Sequence, residues 1–88
     1  MTPKTRATKL AKLYRLAGYD VMRPIPFDSA IRSGRVEPGT FAFAIQDSRG
    51  YPQWKFRSVG VVVVHPGDVI TFEGDGAAEL EGVIESFR

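Results

Sequence analysis

The chain has 88 residues, no cysteine, 43% hydrophobic and 25% charged side chains, and a formal charge of +2. That is enough for one hydrophobic core and too little for two, it lies outside the apolar-poor range of disordered chains, and it excludes disulfides and thiolate zinc sites. No apolar run approaches the roughly 20 residues of a membrane helix, and no apolar signal core follows Lys4 and Arg6, so the expectation is a single soluble domain over residues 1–88, without a membrane partner and in the cytoplasm.

The small net charge hides a strong polarity along the chain. Residues 1–35 carry eight basic against two acidic side chains (+6), residues 36–65 three against two (+1), and residues 66–88 one against six (−5). Segregated charge of this kind has three readings: a polyanionic partner for the basic end, association between copies, or neutralisation of one end by the other within the chain.

Thr2 followed by Pro3 is a helix start, and Gly18 a helix stop. Between them Ala7, Leu10, Leu13, Tyr14 and Ala17 fall on one face, with Lys4, Lys9, Lys12 and Arg15 spread over the other side, so residues 1–18 predict an amphipathic basic helix. It contains no Asp or Glu. Lys4 and Arg6 stand in the first turn, where the helix dipole disfavours cations by about 0.3 kcal/mol or more each, a small cost that points to an external anion.

Next, Tyr19 to Arg23 reads as a short extended piece that Pro24 and Pro26 keep out of the middle of a sheet. Asp28 can cap one helical turn closed by Gly34, and Glu37-Pro38-Gly39-Thr40 suits a type II turn.

From Thr40 the period becomes two. Phe41, Phe43 and Ile45 alternate with small and polar residues, Asp47-Ser48-Arg49-Gly50 supplies a hairpin turn, and the return strand is expected from Tyr51 to about Val64, with Trp54 and Phe56 pointing inward. Gly60 marks a bulge, and Val61 to Val64 read as buried on both faces. His65-Pro66-Gly67-Asp68 is a further turn, a strand follows to Glu73, and Gly74-Asp75-Gly76 turns again. In the last segment Leu80, Val83, Ile84 and Phe87 stand at helical spacing, whereas Gly82 and the preceding turn favour a closing strand, which is the expectation adopted. Residues 40–88 then form antiparallel hairpins. The fold class is α+β, mostly β: an antiparallel meander curled toward a small barrel, with one N-terminal basic helix.

The segment Arg49 to Arg57 interleaves basic, aromatic and amide side chains, as strips that stack bases and contact phosphate do. With the helix it defines a candidate nucleic-acid-binding set of Lys4, Lys9, Lys12, Arg15, Arg49, Tyr51, Lys55 and Arg57. The function expected is a non-catalytic nucleic-acid-binding or nucleic-acid-associated regulatory module. The alternative is a protein-interaction or assembly module, in which the basic N-terminal surface meets an acidic protein surface or the acidic C-terminal third of another copy in a homo-oligomer. A third reading makes His65, the only histidine, the base of a small metal-independent ribonuclease with Arg49, Lys55 or Arg57 as the charge stabiliser. No Gly-Lys-Ser/Thr phosphate loop, calcium loop or serine-nucleophile motif is present, so no metal or cofactor is expected.

Overall fold

A computed structural model of the chain describes residues 2–27, 39–50, 52 and 55–87. Helix α1 (Pro3–Leu16) starts where the sequence places it: the Thr2 side chain accepts from the Thr5 backbone N–H, and Pro3 occupies the first turn. At the other end Gly18 takes a φ of 99°, a left-handed conformation that stops the helix at little cost only in glycine.

Strands β1 (Asp20–Val21) and β2 (Ile25–Pro26) both pair antiparallel with one edge of β3 (Phe41–Asp47). This is the edge position that Pro24 and Pro26 permit. β3 pairs with β4 (Arg57–His65), a 3-10 turn follows at Pro66–Asp68, and β5 (Val69–Glu73) closes the order β1-β3-β4-β5. The chain ends in α2 (Ala77–Ser86). The sheet is open and not closed into a barrel, because the segment that follows β5 leaves the sheet as a helix.

That helix corrects the expected closing strand. Ala77, Ala78, Glu79, Leu80 and Glu81 are good helix formers, and the spacing of Leu80, Val83 and Ile84 brings them onto the core together. Gly82, taken as a strand signal, lies exposed on the outer side of α2.

Both helices pack on the sheet face that carries Phe43, Ile45, Val62 and Val64. From α1 come Ala7, Leu10, Ala11 and Tyr14, and from α2 comes Leu80. Phe41, Ile70 and Phe72 flank this cluster half-buried, as their alternation predicts. Two further aromatic expectations do not hold in the same way: Phe56 is exposed and precedes β4, and Trp54 lies outside the described residues. The return strand begins only at Arg57, one residue after Phe56. The expected helical turn at Asp28 to Gly34 lies outside the described residues, as do Glu37 and Pro38 of the turn at Glu37 to Thr40.

A bulge sits where Gly60 suggested it. Ile45 faces Gly60, but Gln46 faces Ser58 and Asp47 faces Arg57, so Val59 is the extra residue of β4 and is buried in the cluster. Gly60 is also where the turn after β5 crosses the sheet. A Cβ on Gly60 would lie 2.2 Å from the Glu73 carbonyl oxygen, and one on Gly74 would lie 2.8 Å from the Gly60 Cα. Only bare backbone fits at this crossing, which is what lets α2 descend onto the core.

Two glycine substitutions check this packing in opposite directions. Gly60→Ala should destabilise by about 1–3 kcal/mol or more through the clash with Glu73. Gly82→Ala, with nothing within 4 Å of the added methyl, should stabilise by about 0.5–1 kcal/mol because α2 loses its only interior glycine. Denaturant midpoints of the two variants give both values, and a destabilised Gly82→Ala protein would contradict the helix.

Candidate nucleic-acid interface

The eight candidate residues divide into two groups by what surrounds them. Lys4, Lys9, Lys12 and Arg15 are all exposed on α1, a helix without a single acidic residue. None of the four forms an ion pair among the described residues. The cations therefore stand on the wet side of a helix whose apolar side is held by Ala7, Leu10, Ala11 and Tyr14. From Lys4 to Arg15 they extend along about 16 Å of helix axis, at a rise of 1.5 Å per residue. The fifth basic residue of α1, Arg6, is different: its Nη1 lies 2.7 Å from Asp68 Oδ1, pinning the start of the helix to the turn before β5.

Arg49 and Arg57 belong to a closed polar ring beside the C-terminal end of α1. Asp47, buried at the end of β3, accepts from Arg49 Nε at 2.9 Å and from Arg57 Nη2 at 3.2 Å. Arg57 also grips Glu79 of α2 through both terminal nitrogens, at 3.1 and 2.9 Å. Glu79 accepts from the Tyr19 hydroxyl at 2.6 Å, and the Arg49 guanidinium lies 4.5 Å from the centre of the Tyr19 ring, which closes the circuit. Arg49 further donates to the Ala17 carbonyl at 2.9 Å, capping the C-terminal end of α1 with a cation where the dipole favours one. Two arginines and two carboxylates cancel within the ring. Its side chains come from the α1–β1 turn, β3, the β3–β4 connection, β4 and α2, so it ties every layer together.

The remaining two candidates contribute little more. Lys55 is exposed in the connection before β4, and Tyr51 lies outside the described residues. Sequence reasoning missed Glu79 and Tyr19 as ring members and placed Asp47 in a turn. The missing signal is the bulge: with regular pairing Ser58 would face Asp47, and only the one-residue shift at Val59 brings Arg57 opposite it.

The ionisation of the ring follows its geometry. Asp47 is held well below the ordinary carboxylate range, first by its hydrogen bond from Arg49, and Glu79 is lowered first by Arg57 and then by Tyr19. Tyr14, buried with its hydroxyl donating to the Leu80 carbonyl at 2.6 Å, is raised above the ordinary phenol value, chiefly by burial.

His65 does not meet the arginines. It ends β4, where its Nε2 shares a hydrogen bond of 2.8 Å with Thr71 Oγ1, whereas Arg57 begins the same strand. Eight residues at about 3.3 Å each separate the two by about 26 Å, too far for both to act on one phosphate. Among the described residues no three His, Asp or Glu side chains gather as a metal site, and no helix is long and apolar enough to cross a membrane. No protein-family model, curated protein or solved structure matches the chain, so the arrangement of side chains alone bears on function.

The ring predicts a pH dependence of stability. Because Asp47 and Glu79 have folded pKa values below their unfolded ones, their contribution is complete above about pH 4–5 and is lost as pH falls below the ordinary carboxylate range. Tyr14, raised in the folded state, adds a loss of stability above about pH 10. Asp47→Asn should cost about 1.5–3 kcal/mol at pH 7, as expected for losing hydrogen bonds to a charged group, and should flatten the acid limb. Urea midpoints of both proteins from pH 3 to pH 7 measure this, and an unchanged acid limb in the variant would remove Asp47 from the ring.

Proposed function

We propose that the protein is a non-catalytic nucleic-acid-binding module whose binding surface is the exposed face of α1. The observation that carries this is the sorting of its cations: Arg6, Arg49 and Arg57 are held by carboxylates, whereas Lys4, Lys9, Lys12 and Arg15 face solvent together with no acid on their helix. Such a face offers an array of point charges to a polyanion and releases its condensed counterions on binding.

Relative to the eight-residue set read from sequence, the proposed surface is narrower. Arg49 and Arg57 are assigned to the ring, because turning Arg57 toward a phosphate would leave Glu79 without its cation, and turning Arg49 would take from Asp47 the shorter of its two arginine contacts. The assembly alternative has less support, since part of the acidic C-terminal third is used within the chain: Asp68 by Arg6 and Glu79 by Arg57. A membrane surface is also a poor match. A helix lying in a bilayer interface needs a free apolar face, and that of α1 is occupied by the sheet and α2.

Salt dependence of oligonucleotide binding tests the proposal. Affinity should fall linearly in log-log terms with added salt, and Lys12→Ala with Arg15→Ala should reduce the slope by one to two contacts, at about 0.7–0.9 per contact, with the thermal midpoint unchanged. Arg49→Ala should do the reverse, lowering the midpoint with the slope kept. Absence of binding to any nucleic acid at low salt, or binding lost with Arg49→Ala in a protein that stays folded, would overturn the assignment.

A further inference from the structure

We infer that the ligand of the α1 face is double-stranded DNA, held through the phosphates of both strands without reading the bases. The inference rests on the reading of α1 as a phosphate-binding face and adds the form of nucleic acid it takes. At about 100° per residue, the exposed positions of α1 fan across an arc of about 140°. Lys9 stands at one margin of this arc, Lys4 and Arg15 near the other, and Lys12 between them. With a helix about 10–12 Å across its side chains, the two margins are separated by nearly the full helix diameter. One phosphate row cannot meet both margins at once. Two rows on either side of a groove can, and the major groove of B-form DNA, about 12 Å wide, matches the helix.

Two further features favour a rigid, sequence-blind target. The middle of the face carries Thr5 and Thr8, but the Thr8 hydroxyl donates to the Lys4 carbonyl at 3.0 Å and the Thr5 hydroxyl accepts from Thr2 at 2.9 Å, so both are engaged at the start of the helix and Thr8 has no proton left for a base edge. No aromatic side chain is exposed on α1: Tyr14 is fully buried, and the neighbouring Tyr19 is covered by Arg49. Base stacking, the usual compensation for ordering a flexible single strand, is absent from this face. The helix that carries the cations is fixed, because α1 is capped at both ends and bolted to α2 by the Tyr14–Leu80 hydrogen bond. A fixed helix presents its cations to a preorganised phosphate lattice without a further cost of ordering backbone.

Fluorescence anisotropy at low salt decides the matter with two short DNA duplexes of unrelated sequence, their separated strands, and an RNA duplex whose narrow, deep major groove does not admit a helix. The expected result is equal affinity for the two DNA duplexes within about twofold, at least tenfold weaker binding to single strands and to RNA, and a salt slope of roughly −3 to −4 for four contacts. Lys9→Ala and Arg15→Ala, on opposite margins, should each weaken duplex binding and lower the slope by about one contact, while changing single-strand binding unequally. Single strands or duplex RNA bound as tightly as duplex DNA, or a tenfold preference between the two DNA sequences, would overturn this inference and leave the proposed function standing. No binding to any of these probes would reject the proposed function itself.

Discussion

One extra residue in β4 decides which side chain meets Asp47, and much of the molecule follows from that register. With Val59 bulged into the core, Arg57 lies opposite Asp47 on the face where α2 docks, within reach of Glu79. Without the bulge a serine would take that place, Asp47 would keep only Arg49, and Glu79 would lose the arginine that grips it, a costly arrangement for partly buried carboxylates. The same stretch supplies Gly60, whose missing side chain allows the β5–α2 turn to cross at backbone contact. Bulge, ring and helix docking are one device: the shift that buries Val59 also aims Arg57 and clears the path for α2.

The ring in turn explains how an 88-residue chain without cysteine joins its parts. Leu80 and Tyr14 provide an apolar and a hydrogen-bonded link between the helices, and the ring adds a polar link beside them. Its members are satisfied in several directions at once, which is the condition under which partly buried charges stabilise rather than weaken a fold. The consequence for function is a separation of roles among cations that look alike in sequence. Arginines with forked, multi-point hydrogen bonding hold the ring together. The lysines and Arg15, on a helix that lacks acids, are left to solvent, and they define the surface on which the proposed function rests.

Much of the N-terminal half of this account was legible in the sequence. The Thr2-Pro3 start, the Gly18 stop and the helical spacing of Ala7, Leu10 and Tyr14 each signal structure locally, and α1 has these features. The alternation of Phe43 with Ile45 and the valine run Val61 to Val64 likewise identify strands of the core. What sequence could not yield were non-local choices. α2 was misread because Gly82 weakens a helix by propensity alone, whereas burial of Leu80, which lies 66 residues from its partner Tyr14, outweighs that cost. Phe56 reads as inward only when the alternation of β4 is extended past its first residue, Arg57. Arg49 and Arg57 read as a free basic strip because the acids that bind them, Asp47 and Glu79, come from other elements. Charge neutralisation across elements leaves no periodic trace in a sequence, whereas the absence of acids within α1 does, and that is why half of the candidate set retains its proposed role.

Backbone amide chemical shifts, followed by NMR as short duplex DNA is titrated into the protein at low salt, test the division of cations most directly. The account predicts perturbations concentrated on residues 4–16 of α1, with the amides of Asp47, Arg49, Arg57 and Glu79 unmoved. Perturbations centred on the β3–β4 connection and on Arg57, with α1 silent, would contradict it.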